Sequence, residues 1–443
     1  MIQKYCYPTS ELWPQLLKRA EQTNSTELTA RVLDIITNVK KFGDAAINKY
    51  NQELDQFCSE RFKLSWQEIQ IGAEQINPEL KAAIDLAASN IKKFHFRESN
   101  SLRSVQVSDG LVCEERIVPI ERVGIYVPGG TAPLISSLLM CAIPAQLAGC
   151  KNIVISTPAQ KTKNETGNIS IPGQTDLSQF VHPGLLYICK LLSLSNVYLV
   201  GGAQAIAAMA FGTDSIQASY KIFGPGNSYV MEAKKQISLS GVAIDMPAGP
   251  SEVLIIADEQ ANIKFVAADL LAQAEHGRDS QVILLTTSEK IFNDIESELQ
   301  SQLQDLPRKE LALAALLNSS VILFRDLSEA ITFSNAYAPE HLILAIENAR
   351  EWSYQVTNAA SVFIGNYTPE SLGDYASGTN HVLPTGGYAT STSGLSVESF
   401  QKKIFFQELA ENSNHELANA VCLLAETEGL VGHANAMRLR ITS

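Results

Sequence analysis

Hydrophobic positions along this chain recur with two periods, and the change of period divides it. From Glu27 to Tyr50 and from Pro78 to Phe96, apolar residues fall three and four apart, the spacing of amphipathic helices. Trp66-Gln67-Glu68 opens a shorter helix between them, so the chain reads as helical up to about Arg103. From Arg122 the pattern changes to short apolar runs. Val123–Val127, Asn152–Ser156, Val197–Val200 and Lys221–Phe223 are predicted strands. They alternate with predicted helices over Pro133–Ala148, Gly184–Leu194, Ala203–Phe211 and Ser228–Leu239. Strand–glycine–helix junctions repeated in this way belong to parallel α/β sheets, whose ligands gather at the carboxyl ends of the strands. The pattern then restarts with strands Glu252–Ala257, Gln281–Thr286, Val321–Phe324, Leu342–Ile346 and Ser361–Ile364. Two α/β sheets, one nested in the other's sequence, is the economical reading. A polar stretch from Gln160 to Gln179 has no period and reads as a surface loop. From about Ser396 the chain turns helical again, with Leu417, Val421, Leu424 and Ala425 on one face of Asn414–Glu426. That tail is too short to hold a core of its own and must pack on something else, a partner chain included.

Composition narrows the class. The 443 residues suit about three domains, and 45% hydrophobic with 18% charged residues is ordinary for a globular enzyme. A net charge of -13, with no cluster of Lys and Arg, argues against a nucleic-acid surface. The start lacks the apolar core of a signal peptide, and no segment offers the ~20 apolar residues that span a bilayer. Seven scattered cysteines without a Cys-x-x-Cys pair are neither a disulfide framework nor a thiolate metal site, which points to reducing cytoplasm.

The candidate chemistry begins at Ala272-Gln273-Ala274-Glu275-His276-Gly277, the end of a predicted helix starting near Asn262. Gln273 and His276 stand three apart and share a face, and Gly277 suits a left-handed helix cap. Such an amide oxygen and imidazole nitrogen can share a borderline cation, zinc above all. A polar helix end facing solvent is the competing reading. Tyr337-Ala338-Pro339-Glu340-His341 places two groups suited to proton transfer at an element end, and adjacent side chains normally diverge toward different atoms. Gly373–Val382 is glycine-rich and carries Asp374 and His381 seven apart, as suits a backbone passing close to a ligand. Glu428-Gly429-Leu430-Val431-Gly432-His433 by itself reads as a capped helix end. Tyr126–Gly130 and Gly224–Asn227 are glycine-rich turns able to hold phosphate, but neither is a Gly-x-Gly-x-x-Gly fingerprint. His95 and His182 are read as structural.

Taken in order, Val123–Gly130, Val200–Ala208, Phe223–Asn227, Asp245–Glu252, Gln273–Gly277, Pro339–Leu342 and Gly373–Thr385 resemble the histidinol dehydrogenase family over nearly the whole chain. The resemblance implies an enzyme that oxidises L-histidinol to the aldehyde and then to L-histidine, using two NAD in succession. Gln273, His276, Asp374 and, from the other subunit of a homodimer, His433 are then the ligands of one zinc per subunit. Zinc also takes the imidazole and amino nitrogens of the substrate. Glu340 and His341 are the acid–base pair, with His341 neutral at working pH. Ser251, His381 and Glu428 line the substrate pocket, and Tyr126, Gln204 and Asn227 contact NAD. A catalytic thiol is the natural rival, but Cys113 and Cys150 have no obvious basic partner.

The expected fold class is α/β, with two incomplete Rossmann-like parallel-sheet domains, one inserted in the other, and small helical segments at each end. Residues 1–22 are the N-terminal helical segment. Residues 23–127 and 251–395 form a discontinuous zinc and substrate domain, 128–250 the NAD-side domain, and 396–443 a helical tail reaching the partner subunit.

Overall fold

Aliphatic runs without a central charge become strands buried on both faces, and this chain holds two sets of them. The computed structural model describes residues 2–19, 26–57, 59, 61–96, 102–129, 134–160, 176–246, 249–410 and 415–441. The expected surface loop falls mostly on 161–175, and Cys58, Gly130 and Pro133 also lie outside the described residues. In chain order the strands are β1 (Gln3–Cys6), β2 (Arg103–Ser108), β3 (Leu111–Pro119), β4 (Arg122–Tyr126), β5 (Asn152–Thr157), β6 (Val197–Leu199) and β7 (Lys221–Phe223). They continue with β8 (Ala243–Ile244), β9 (Glu252–Ala257), β10 (Gln281–Thr286), β11 (Ser320–Leu323), β12 (His341–Ala345), β13 (Ser361–Ile364) and β14 (Gln401–Leu409). Two compact units result: Met1–His95 with Glu121–Ser399, and Phe96–Ile120 with Phe400–Ser443.

The first unit holds both parallel sheets. The larger runs β1-β11-β10-β9-β12-β13, and every neighbouring pair is parallel. Its middle strands send alternate residues to opposite faces, as the pleat requires. Val253, Ile255 and Ala257 of β9 join the core under the helices Ile263–Ala274 and Glu289–Leu303. Leu254 and Ile256 join the opposite core, with Phe333 and Tyr337 of the helix Leu327–Tyr337. The smaller sheet runs β6-β5-β4-β7-β8, again all parallel, and its strands fall between β1 and β9 in sequence. The α/β class with one sheet nested in the other is therefore observed.

Local packing differs from expectation in three places. Residues 1–22 are not simply helical: β1 adds an edge strand beside β11, and the helix there is only Trp13–Leu16. Part of 23–127 packs with the smaller sheet, not the larger. Val32, Ile35, Val39 and Ile47 share a core with Ile206, Val230 and Ile237, and β4 is that sheet's central strand. In the second unit, 396–443 is not all helix, since β14 pairs antiparallel with β3 from Gln401 opposite Pro119 to Leu409 opposite Leu111. β2 completes this sheet on the other side of β3. The reason is the distance in sequence: β14 finds its hydrogen-bonding edge only in a segment far upstream, and strand preference is set by such neighbours. The helices His415–Thr427 and Val431–Ile441 follow.

Candidate active site

The amino end of β12 carries Glu340 and His341, the expected acid–base pair. The helix Leu327–Tyr337 stops at Ala338, which sits at φ 53, and two residues later Glu340 and His341 enter the strand. Non-glycine residues adopt this left-handed region at a cost of about 1–3 kcal/mol, so surrounding contacts must hold it. Both side chains are buried, with 6% and 4% of their surface exposed. They do not diverge as adjacent residues usually do. Both turn to the main chain of Glu252, the first residue of β9: its N–H donates to Glu340 Oε2 at 2.8 Å, and its carbonyl lies 3.1 Å from His341 Nδ1. That contact makes Nδ1 the protonated nitrogen and directs Nε2 toward Asp374 Oδ1, 3.5 Å away.

A cluster of metal-competent donors stands beside the pair. His276, Glu370 and Asp374 bring ligand atoms within 4.8 Å of one another. Gln273, 1% exposed, directs its amide nitrogen to Glu370 Oε1, and its oxygen accepts from Glu252 N at 2.9 Å. Its helix ends at Ala274 with Glu275 as an ordinary right-handed cap, so Gly277 is not the left-handed residue expected. Asp374 lies on the helix Glu370–Tyr375, and its carbonyl meets His381 Nδ1 at 2.7 Å. The glycines of this loop are required by close packing. A Cβ on Gly378, at φ +106, would stand 2.6 Å from Asn90 O.

Charge and burial oppose each other here. Burial pushes the Glu340 carboxyl up to about 7 even though His341 and the Glu252 amide favour its ionised form. Burial alone would lower His341, but Glu370, Glu340 and Asp374 outweigh it and hold the imidazole up at about 10. The chain's own charges thus favour a protonated His341, where a neutral one was expected. Burial and the neighbouring carboxylates raise Glu370 well above its ordinary value. Asp374 is held low, because the hydrogen bond and charge of His341 overcome its burial.

One cavity of about 210 Å³ collects Ser251, Gln273, His276, Glu340, His341, Asp374 and His381. Its far wall is the turn Gly224-Pro225-Gly226 after β7. There the buried Lys234–Asp245 pair grips the turn: Lys234 Nζ donates to Gly224 O at 2.9 Å, and Gly224 N donates to Asp245 Oδ2 at 2.9 Å. Gly224 sits at φ +111, and a Cβ there would stand 2.1 Å from Tyr126 O, so no other residue fits. The cavity therefore lies at the carboxyl end of the smaller sheet, as expected, but at the amino ends of β9 and β12 in the larger.

Other expected residues sit elsewhere. Tyr126 ends β4, and its hydroxyl accepts from Gly202 N at 3.1 Å. Gln204, in the helix Gly202–Phe211, is wholly buried, and neither its Nε2 nor its Oε1 has a partner among the described residues. Asn227 is exposed and caps the helix Ser228–Ser238 by accepting from Tyr229 N and Val230 N. Glu428 and His433 are exposed and belong to the second unit, described by itself. Cys113 is in that unit too, and neither it nor the buried Cys150 lines the cavity. His182 caps its own helix by accepting from Gly184 N at 3.1 Å, and His95 is buried against Phe94, as structural residues. Three side chains that the sequence did not single out stand at or beside the site: Glu252, Glu370 and the Lys234 of the buried pair. Glu370 had a signal, since it precedes Asp374 by one helical turn and so shares its face.

Fold and cavity together fit an α/β enzyme, with buried Glu340 and His341 beside nitrogen and oxygen donors suited to a cation. The family model for histidinol dehydrogenase matches residues 17–441. The histidinol dehydrogenase of Bacteroides thetaiotaomicron is 46% identical over 443 residues, covering 100% of both chains. That of Escherichia coli is 44% identical over 98% of this chain and 96% of its own. A crystal structure of histidinol dehydrogenase from Elizabethkingia anophelis, 46% identical, superposes with a TM-score of 0.92 over 100% of this chain and 98% of the other. This chain belongs to the histidinol dehydrogenase family and is an oxidoreductase of that type. Among the described residues no helix is long and apolar enough to cross a membrane.

Proposed function

We propose that the chain oxidises L-histidinol through the aldehyde to L-histidine, the last step of histidine biosynthesis, with NAD and one zinc per subunit. The cavity carries this reading: Glu340 and His341 stand on the main chain of Glu252, within a few ångströms of the amide, imidazole and carboxylate donors. Gln273, His276 and Asp374 suit a borderline cation and leave positions for a substrate with two nitrogens, with His433 added across a homodimer. Zinc bound there supplies positive charge that fixes the substrate's imidazole and amine and offsets the surrounding carboxylates. NAD supplies the hydride acceptor. Tyr126, Gln204 and Asn227 serve NAD, and the orphaned amide of Gln204 is the observation that favours a ligand there. Ser251, His381 and Glu428 orient the substrate.

With the surrounding carboxylates offset in the loaded site, His341 gives up its extra proton and, neutral, takes the hydroxyl proton of the alcohol on Nε2, because Glu252 O holds Nδ1. Glu340 then accepts a proton from the water that adds to the aldehyde. His341, having passed its first proton to solvent, takes a hydroxyl proton of the hydrate as the second hydride leaves from that carbon to NAD. The described cysteines are all free thiols, which fits a cytoplasmic enzyme.

Histidinol and NAD added to the purified protein should yield two NADH per histidinol, with no aldehyde released. His276→Asn should retain well under one zinc per chain, with activity partly restored by excess metal. No NADH from histidinol in a zinc-loaded preparation would overturn the activity. Full zinc content in His276→Asn would move the metal elsewhere.

A further inference from the structure

We propose that Arg19 is a positioning residue for this oxidation: one guanidinium fixes the two backbone segments that carry Glu340 and His341. This rests on the reading of those two residues as the acid–base pair. Arg19 follows the short helix Trp13–Leu16 near the start of the chain and does not line the cavity. Its Nε donates to Glu252 Oε1 at 2.5 Å, and a terminal nitrogen donates to Oε2 at 3.1 Å, the planar fork that arginine presents to a carboxylate. The same nitrogen donates to Tyr337 O at 2.6 Å and reaches Ala338 O at 3.4 Å. The guanidinium lies 4.0 Å over the Tyr337 ring, whose hydroxyl is fixed by Gln281 Oε1 at 2.7 Å.

Both ends of this clamp lead to the pair. Glu252 is the residue whose amide meets Glu340 and whose carbonyl meets His341. Tyr337 and Ala338 form the left-handed turn from which those two side chains emerge. The Glu252 carboxylate is 2% exposed, and besides Arg19 its contact is Gly386 N at 2.9 Å. Without a cation it is a buried, uncompensated charge, and the segment that carries it must shift to relieve it. That shift moves the amide and carbonyl on which the pair is hung. Displacement by about an ångström costs on the order of a hundredfold in rate.

The test compares Arg19→Ala, Arg19→Lys and Glu340→Gln in the full-length, zinc-loaded enzyme with histidinol and NAD. Arg19→Ala should lower kcat by about a hundredfold while KM for histidinol and zinc content stay near wild type. Guanidinium ion added to the buffer should restore part of that kcat. Arg19→Lys keeps the charge without the fork and should fall between; it also gives the answer if Arg19→Ala does not fold. The proposal is overturned if both Arg19 variants turn over normally while Glu340→Gln is slow. It is equally overturned if Arg19→Ala loses activity only in step with thermal stability and guanidinium restores none. Normal turnover by Glu340→Gln would instead remove the acid–base reading on which the proposal rests.

Discussion

Glu340 shows how a single side chain acquires a working range from its surroundings. Its ordinary value of 4.5 is pushed up to about 7, chiefly by burial. A general base must be ionised, so the group is idle below about 7 and active above it. Oxidation of the aldehyde, measured with the aldehyde supplied directly, should therefore lose rate as pH falls through about 7. Glu340→Gln should remove that limb and slow the aldehyde step more than the alcohol step, whereas His341→Asn should slow both. Equal losses in both steps for Glu340→Gln would dismiss the division of labour. The pair was visible in sequence as Pro-Glu-His before an apolar run. Glu252 was not, because it acts through its amide and carbonyl, which every residue type possesses.

At the scale of an element, the helix Trp66–Ala73 opens with a reciprocal cap. Ser65 Oγ accepts from Glu68 N at 3.2 Å, and Glu68 Oε2 accepts from Ser65 N at 2.7 Å. The same carboxylate takes Arg61 and, across 109 positions, the amide of Leu177 at 2.7 Å. Burial opposes its ionisation, but the Arg61 and amide hydrogen bonds outweigh that and lower the group from 4.5 to about 2. A folded value below the unfolded one means that the stabilisation is present above about 4.5 and fades as pH falls toward about 2. Hydrogen exchange should show this locally. Near neutrality, Glu68→Gln should lower protection of the Leu177 and Glu68 amides by about 1 kcal/mol, the worth of a cap. The two proteins should converge as pH approaches about 2. A gap that persists unchanged in acid would mean that the carboxylate charge contributes nothing.

At the scale of the whole molecule, our proposal gives the exposed His433 a part in chemistry whose other residues lie in the first unit. His433 lies in a small unit in which, among the described residues, Cys422, Ala425 and Ala434 form one small buried cluster. Our reading has it complete the site of a second copy. Co-expression of His341→Asn with His433→Ala in equal amounts tests this. In a mixed dimer one site then has both an intact His341 and the intact His433 of the other chain. Random pairing makes half the dimers mixed, so roughly a quarter of wild-type activity should return. Background activity in a demonstrated mixed dimer would rule out the shared site.

The two parallel sheets were legible because their strands are continuous aliphatic runs, and glycine marks the junctions after β6 and β7. Burial on both faces demands that composition, and local sequence records it. The helix ending at Gln273 and His276 was legible for a similar reason, since helical period is a property of neighbours. Long-range pairing is not recorded this way. β14 and β1 are strands because distant segments offer them an edge, and residues 26–50 side with the smaller sheet because of what their apolar face meets there. The site divides along the same line. The types and spacing of Gln273, His276, Glu340, His341 and Asp374 marked them as candidates for metal binding and proton transfer. Only the folded chain brought the amino ends of β9 and β12 to the cavity and set Glu370 among the donors. It alone carried Arg19 233 residues along the sequence to Glu252, because a buried carboxylate takes whichever cation the packing delivers.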